Sequence, residues 1–154
     1  MPIELRVYGI PAPQGSKRHV GNGVMIESSK KVKPWRQDVK YAALGLYSGP
    51  IFEGPLRIKI HFIFPRPKSH FGTGRNAGRL KENAPKYVTS RGCGDLEKLI
   101  RSTLDALSVS SGGASIMRDD SQVCCCSAIK RYAFEEEKSG AIIVIRSIDD
   151  EWLH

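Results

Sequence analysis

Leu56-Arg57-Ile58-Lys59-Ile60-His61-Phe62-Ile63-Phe64 alternates apolar side chains with Arg57, Lys59 and His61 before closing on an apolar run. Successive side chains of a strand point to opposite faces, so this is the clearest strand in the chain, placed centrally in a sheet with one face buried. His61 falls on the side away from the phenylalanines and reads as a surface or packing residue rather than a ligand. Upstream, Ile3, Leu5 and Val7 alternate with Glu4, Arg6 and Tyr8, which predicts a half-buried strand ending at Gly9. Downstream, residues 123–134 and 141–148 read as two further strands joined around Lys138-Ser139-Gly140, with 149–154 a tail or short terminal cap.

Between the strands the period changes. Trp35, Val39, Ala42, Ala43 and Leu46 recur at the spacing of one helical face, with Pro34 in the first turn and Gly49-Pro50 as the stop. Arg36 and Lys40 lie on the other face and add to Lys30, Lys31 and Lys33, forming either a solvated basic face or a set of phosphate contacts. Leu96, Leu99, Ile100, Leu104 and Leu107 predict a second helix beginning near Asp95, whose polar stripe runs Glu97, Arg101, Asp105. A basic loop with Lys17, Arg18 and His19 precedes Gly21-Asn22-Gly23, a hairpin turn signal, and Val24-Met25-Ile26 returns as a short strand. Residues 65–94 form a long basic loop with Arg66, Lys68, Arg75, Arg79, Lys81, Lys86 and Arg91 interleaved with His70, Phe71 and Tyr87. That composition suits phosphate contact and base stacking, or else a plain flexible insertion. The expected fold is α/β (α+β): one domain over 1–154 with a mixed sheet and two main helices.

Bulk properties narrow the function classes. The chain has 154 residues, enough for one core, and a formal charge of +8, which attracts polyanions and makes nucleic acid the leading partner class. The opening residues alternate rather than forming a signal peptide, and no apolar run approaches the roughly 18 residues of a membrane span, so a cytosolic protein is expected. Cys93 and the run Cys124-Cys125-Cys126 lack zinc-site spacing and read as reduced thiols, with Cys124 and Cys126 on one strand face and Cys125 on the other.

Inside this basic chain two acidic groups sit at element boundaries: Asp95 with Glu97, and Asp119-Asp120. Alone, the first pair is ordinary helix capping, Glu97 can pair with Arg101 four residues on, and Asp119-Asp120-Ser121 is a turn. Together they are the oxygen ligands a hard cation such as Mg²⁺ prefers, and Mg²⁺ needs only a few carboxylates because it keeps positions for water and substrate phosphate.

Asp95-Leu-Glu-Lys-Leu99, Leu104-Asp-Ala-Leu107 and Arg118-Asp-Asp-Ser-Gln-Val123 follow one another in this order. The arrangement resembles the signature of the RusA family of Holliday junction resolvases: an Asp-x-Asp-Asn segment opening a helix, Asp-Ala-Leu within it, and Asp-Asp-x-Gln-Val leading into a strand that ends near a Lys, here Lys130. Pro11 to Arg18 and Lys33 to Ala43 resemble the family's basic loop and first helix more loosely. The resemblance implies catalytic and Mg²⁺-binding roles for Asp95, Glu97 and Asp120, an auxiliary metal role for Asp119, and phosphate contact or transition-state stabilisation by Arg101. Mn²⁺ is expected to substitute for Mg²⁺, and no nucleotide cofactor or membrane is implicated. Lys17, Arg18, Arg36, Lys40, Arg75, Arg79, Lys86, Arg91, Lys98 and Lys130 are the expected DNA-binding residues.

It further implies a homodimer that nicks four-way junctions symmetrically, leaving 5′-phosphate and 3′-hydroxyl ends, during recombination, repair or bacteriophage DNA processing in the cytoplasm. The alternatives are a flap or fork nuclease with weak junction selectivity and a catalytically silent module that binds branched DNA. Two departures from the family pattern stand out: Glu97 replaces the second Asp, and Lys98 replaces the Asn. A third is Gly94, where a basic residue can occur, so that Arg91 is expected to take over its phosphate contact.

Overall fold

The computed structural model describes residues 2–15, 17–19, 25–27 and 30–149, with 17–19 and 25–27 described by their backbone. In chain order the elements are β1 (Ile3–Tyr8), β2 (Lys17–His19), β3 (Met25–Glu27), α1 (Val32–Leu46), β4 (Leu56–Phe64), α2 (Leu96–Leu107), β5 (Val123–Tyr132) and β6 (Gly140–Ser147). Four strands form one sheet in the order β1-β6-β4-β5, and β2 pairs with β3 as a separate two-stranded ribbon. The Gly21-Asn22-Gly23 turn, Val24 and the last five residues lie outside the described residues.

The alternating segment 56–64 is an inner strand, β4, antiparallel to β6 and parallel to β5. The sheet is therefore mixed. Ile58, Ile60 and Phe62 sit opposite Ile145, Ile143 and Ala141, which in turn face Ile3, Leu5 and Val7 across β6. These residues share one face, and Trp35, Val39 and Ala43 of α1 and Leu99, Leu104 and Leu107 of α2 close over it in one core cluster. The buried positions match the spacings read from the sequence except at Leu46, which lies at the last position of α1 and is 59% exposed; elsewhere an apolar stripe at three-to-four-residue intervals is buried against another layer. Among the described residues no helix is long and apolar enough to cross a membrane.

Two details depart from simple patterning. Helix α1 ends at Leu46, with Tyr47 already extended, before the Gly49-Pro50 stop is reached. The β4–β5 register shifts between Leu56 and Arg57, which pair with Val123 and Cys125. Cys124 is thus the extra residue of a bulge, and strict face alternation does not run through the cysteine run. All four cysteines are free thiols; Cys93 packs against the core while Cys124 and Cys126 are exposed.

Residues 65–94 connect β4 to α2 through three short 3-10 turns at Lys68–His70, Gly74–Asn76 and Arg91–Cys93. Arg66 links the start of this segment to the residue after β5 and to the segment's own interior, donating to the carbonyls of Ala133 at 2.7 Å and Pro85 at 2.7 Å. Val88 N donates to Lys130 O at 3.2 Å and Tyr132 N to Lys86 O at 2.9 Å, so this stretch lies along the outer edge of β5.

The indole of Trp35, fully buried, donates from Nε1 to Thr103 Oγ1 at 3.1 Å and so joins the two helices through the core. Trp35→Ala is expected to lower unfolding free energy by about 3–5 kcal/mol. Thr103→Val leaves the indole N–H without its partner and should cost about 1–3 kcal/mol. Urea denaturation followed by circular dichroism checks both.

Candidate active site

Helix α2 sets out from a constrained corner. Gly94 has φ +93°, and a Cβ there would lie 2.5 Å from Pro13 Cγ, so a basic side chain at this position would be strained and would collide with Pro13. This explains the third departure from the family pattern. Lys130 of β5 donates from Nζ to Gly94 O at 3.0 Å, pinning the start of α2 to the sheet. Gln14 N donates to Lys98 O at 2.9 Å, and Ser102 Oγ to Ala12 O at 2.7 Å, which seats the segment after β1 along the same helix.

Asp95 occupies the N-cap position with an extended backbone, yet its side chain makes no capping bond. Its carboxylate is 72% exposed, with Lys98 Nζ 4.0 Å away. The capping account of Asp95 is therefore not what the side chain does; its oxygens are open to a ligand. Glu97 and Arg101 are exposed on the polar stripe, and among the described residues no ion pair joins them.

The connection from α2 to β5 folds back over the end of the helix. Gly113 N donates to Ser108 O at 2.9 Å and Ala114 N to Ala106 O at 2.8 Å. A Cβ on Gly113 would lie 2.4 Å from the Ala106 carbonyl, so only glycine allows this approach. The fold-back carries Asp119 and Asp120 to the mouth of β5, beside the far end of the α2 stripe.

The two neighbouring acids differ in role. Asp119 caps the 3-10 turn Asp120–Gln122: its carboxylate accepts from Ser121 N at 3.0 Å and from the Ser110 hydroxyl, while Gln122 Oε1 accepts from Asp119 N at 3.2 Å. These donors, the Ser110 hydroxyl foremost, hold its pKa at about 2. Asp120 has the opposite shift. Burial raises its pKa, the charges of Asp119 and Asp105 raise it further, and Arg101 partly offsets them. A carboxylate partly removed from water among like charges favours a neighbouring cation.

Asp105 is the residue whose importance the sequence left unstated. It was visible as the last member of the polar stripe and as the Asp of the Asp-Ala-Leu segment, without a role. In the fold its charge helps to raise the pKa of Asp120, and it accepts from Arg36 Nη2 at 2.8 Å, while the same guanidinium donates to Gln14 Oε1. Arg36 is thus engaged inside the protein rather than lying on a solvated basic face. Lys40 donates to Gly112 O at 3.1 Å. Arg75, Arg79, Lys86 and Arg91 are exposed on the 65–94 segment, Lys98 is partly buried beside Asp95, and the side chains of Lys17 and Arg18 lie outside the described residues.

A family model described as Endodeoxyribonuclease RusA matches residues 9–146. The chain belongs to the RusA endodeoxyribonuclease family. A comparison with curated proteins gives no match. The matched region holds both helices, β4, β5 and every acid discussed above.

Whether these residues suit a divalent ion can be judged from their chemistry. Asp95, Glu97 and Asp120 offer only oxygen donors, the kind Mg²⁺ takes, and Asp95 and Asp120 are not consumed by capping. Among the described residues, however, no three Asp, Glu, His or Cys side chains are grouped so as to hold an ion. Asp120 is within electrostatic reach of Arg101 and Asp105, and Arg101 lies a turn, about 6 Å along the axis, beyond Glu97. The donor set therefore fits Mg²⁺ in kind but is not gathered into one group.

Asp119 generates a pH test. Its pKa is about 2 in the fold against 3.8 unperturbed, so its stabilisation is full above pH 4 and is lost as pH falls through 2. Asp119→Asn should lower thermal stability at pH 7, and the gap to the unmodified chain should close between about pH 4 and 2. Thermal melts across that range read the effect.

Proposed function

We propose that this chain is a Mg²⁺-dependent, structure-specific endonuclease that nicks Holliday junctions and related branched DNA as a homodimer. Membership of the family over residues 9–146 supports nuclease action on branched DNA. The observation that carries the site assignment is the open carboxylate of Asp95, 72% exposed and making no capping bond, together with the exposed Asp120, whose pKa is raised by desolvation and by the charges of Asp119 and Asp105, in a chain of formal charge +8.

Asp95, Glu97 and Asp120 would hold the ion, which when bound supplies charge neutralisation at the scissile phosphate and lowers the cost of deprotonating water. Asp119 keeps the turn that presents Asp120. Arg101, between Glu97 and Asp105 on the stripe, is placed to pair with a phosphate oxygen and to favour the added charge of the transition state. Lys130 fixes the start of α2, and Lys98 adds positive charge where the family pattern has Asn. Arg75, Arg79, Lys86 and Arg91 form the exposed basic border available to the DNA backbone, with Lys17 and Arg18 on the β2–β3 ribbon. Two-fold symmetry gives each of two opposed strands its own site, the reason a junction-cutting enzyme would be a dimer. A bacteriophage or recombination setting follows from the same reading.

A second reading has one observation in its favour. The carboxylates are not gathered into a closed cluster, as expected for a module that binds branched DNA without cutting it. Cleavage of a synthetic four-way junction, a fork and a linear duplex in Mg²⁺ separates the two. The nuclease reading expects paired nicks in the junction, with Asp95→Asn and Asp120→Asn each lowering the rate at least about 100-fold while DNA binding persists. Glu97→Asp should keep activity, and Mn²⁺ should replace Mg²⁺. Binding without any metal-dependent product would overturn it, and equal cutting of fork and junction would favour a flap or fork enzyme.

A further inference from the structure

One cavity lies outside the set of acids yet touches it. It opens between α1 and the Gly112-Gly113 turn, has a volume of about 280 Å³, and is lined by Lys33, Arg36 and Lys40 on one side and Asp105, Gly112 and Gly113 on the other. Lys33, Arg36 and Lys40 recur at three- and four-residue intervals, so they share one face of α1. Three cations face a single carboxylate, and that carboxylate is already taken by Arg36 at 2.8 Å. The remaining positive charge belongs to two exposed lysines.

The wall opposite is backbone. Gly112 is left-handed at φ +76° with open space where a Cβ would stand, so a ligand can approach the main chain closely. Lys40 is already directed across the opening, with Nζ 3.1 Å from Gly112 O and two further N–H donors to offer. Asp105, which lines this pocket, also bears electrostatically on Asp120. The two lysines left unneutralised favour an anionic ligand here.

We propose that this cavity is a second phosphate subsite, in which Lys33 and Lys40 grip a backbone phosphodiester of the DNA strand away from the scissile one. Arg36 forms its fixed floor: locked to Asp105 and Gln14, it contributes charge without swinging out to the ligand. The Arg36–Asp105 pair also keeps the cavity positive and the Asp120 side negative, so the strand is held at one place and processed at the next. This inference rests on the nuclease reading for the identity of the strand, but its test does not depend on cleavage.

The experiment measures affinity for a synthetic four-way junction against salt concentration, in EDTA so that nothing is cut. Each phosphate neutralised contributes about 0.9 to the slope of log affinity against log salt. The double variant Lys33→Gln/Lys40→Gln should bind more weakly, with a slope shallower by about 1. Lys59→Gln/Lys138→Gln removes the same charge elsewhere and should leave the slope unchanged. Equal slopes for the unmodified chain and the Lys33/Lys40 variant, or equal losses in both double variants, would overturn the subsite.

A parallel titration with inorganic phosphate, followed by amide resonances of Gly112 and Gly113, separates a strand subsite from a small-anion site: shifts there with no change in the DNA slope would also overturn it. If the junction is cut but the slope does not change, the nuclease reading stands and the subsite falls. If the slope changes but no metal-dependent product forms, the subsite stands and the nuclease reading falls.

Discussion

The parallel pairing of β4 with β5 is the constraint from which the site follows. Parallel neighbours cannot be joined by a hairpin, so the chain leaving Phe64 must travel back before it re-enters as β5. It does so through the segment pinned by Arg66 and then through α2. Because Lys130 holds the start of α2 beside the later half of β5, and the Gly113 fold-back returns its end to the start of β5, the helix runs against the strand along its length. One crossing thus sets a line of acids and bases on α2 over the strand that Asp120 introduces.

Charge is arranged on that line with some economy. The protein carries an excess of cations, yet two that flank the α2 stripe are already engaged: Arg36 with Asp105, and Lys130 with the Gly94 carbonyl. Arg101 remains on the stripe, and its charge only partly offsets the crowding around Asp120. The result is a carboxylate whose pKa is raised among like charges, in a chain rich in exposed arginines and lysines. Asp119, next in the chain, gives up its oxygens to Ser110 and Ser121 and serves the geometry instead.

Much of this could be read from the residues. The alternation of 56–64 and 3–8 and the stripes at 35–46 and 96–107 give the strands and helices because periodicity reflects burial directly. The acids were found by their order in a motif, not by their surroundings. What the sequence withheld depends on contacts between distant segments. Asp105 gains its place only when α1 brings Arg36 to it; Asp119 and Asp120 are identical letters until Ser110 and Gln122 take one of them. The bulge at Cys124 breaks a face assignment that pure alternation would make, and the need for glycine at 94 comes from Pro13, eighty residues earlier in the chain.

The central claim, that acids from α2 and from the mouth of β5 serve one divalent ion, is tested most directly by paramagnetic broadening. Substoichiometric Mn²⁺ added to ¹⁵N-labelled protein should broaden amide resonances around Asp95–Lys98 and Asp119–Ser121 together, and excess Mg²⁺ should restore both. Broadening of one group alone, or confined to an acidic surface stretch such as Glu135-Glu136-Glu137, would contradict a shared site.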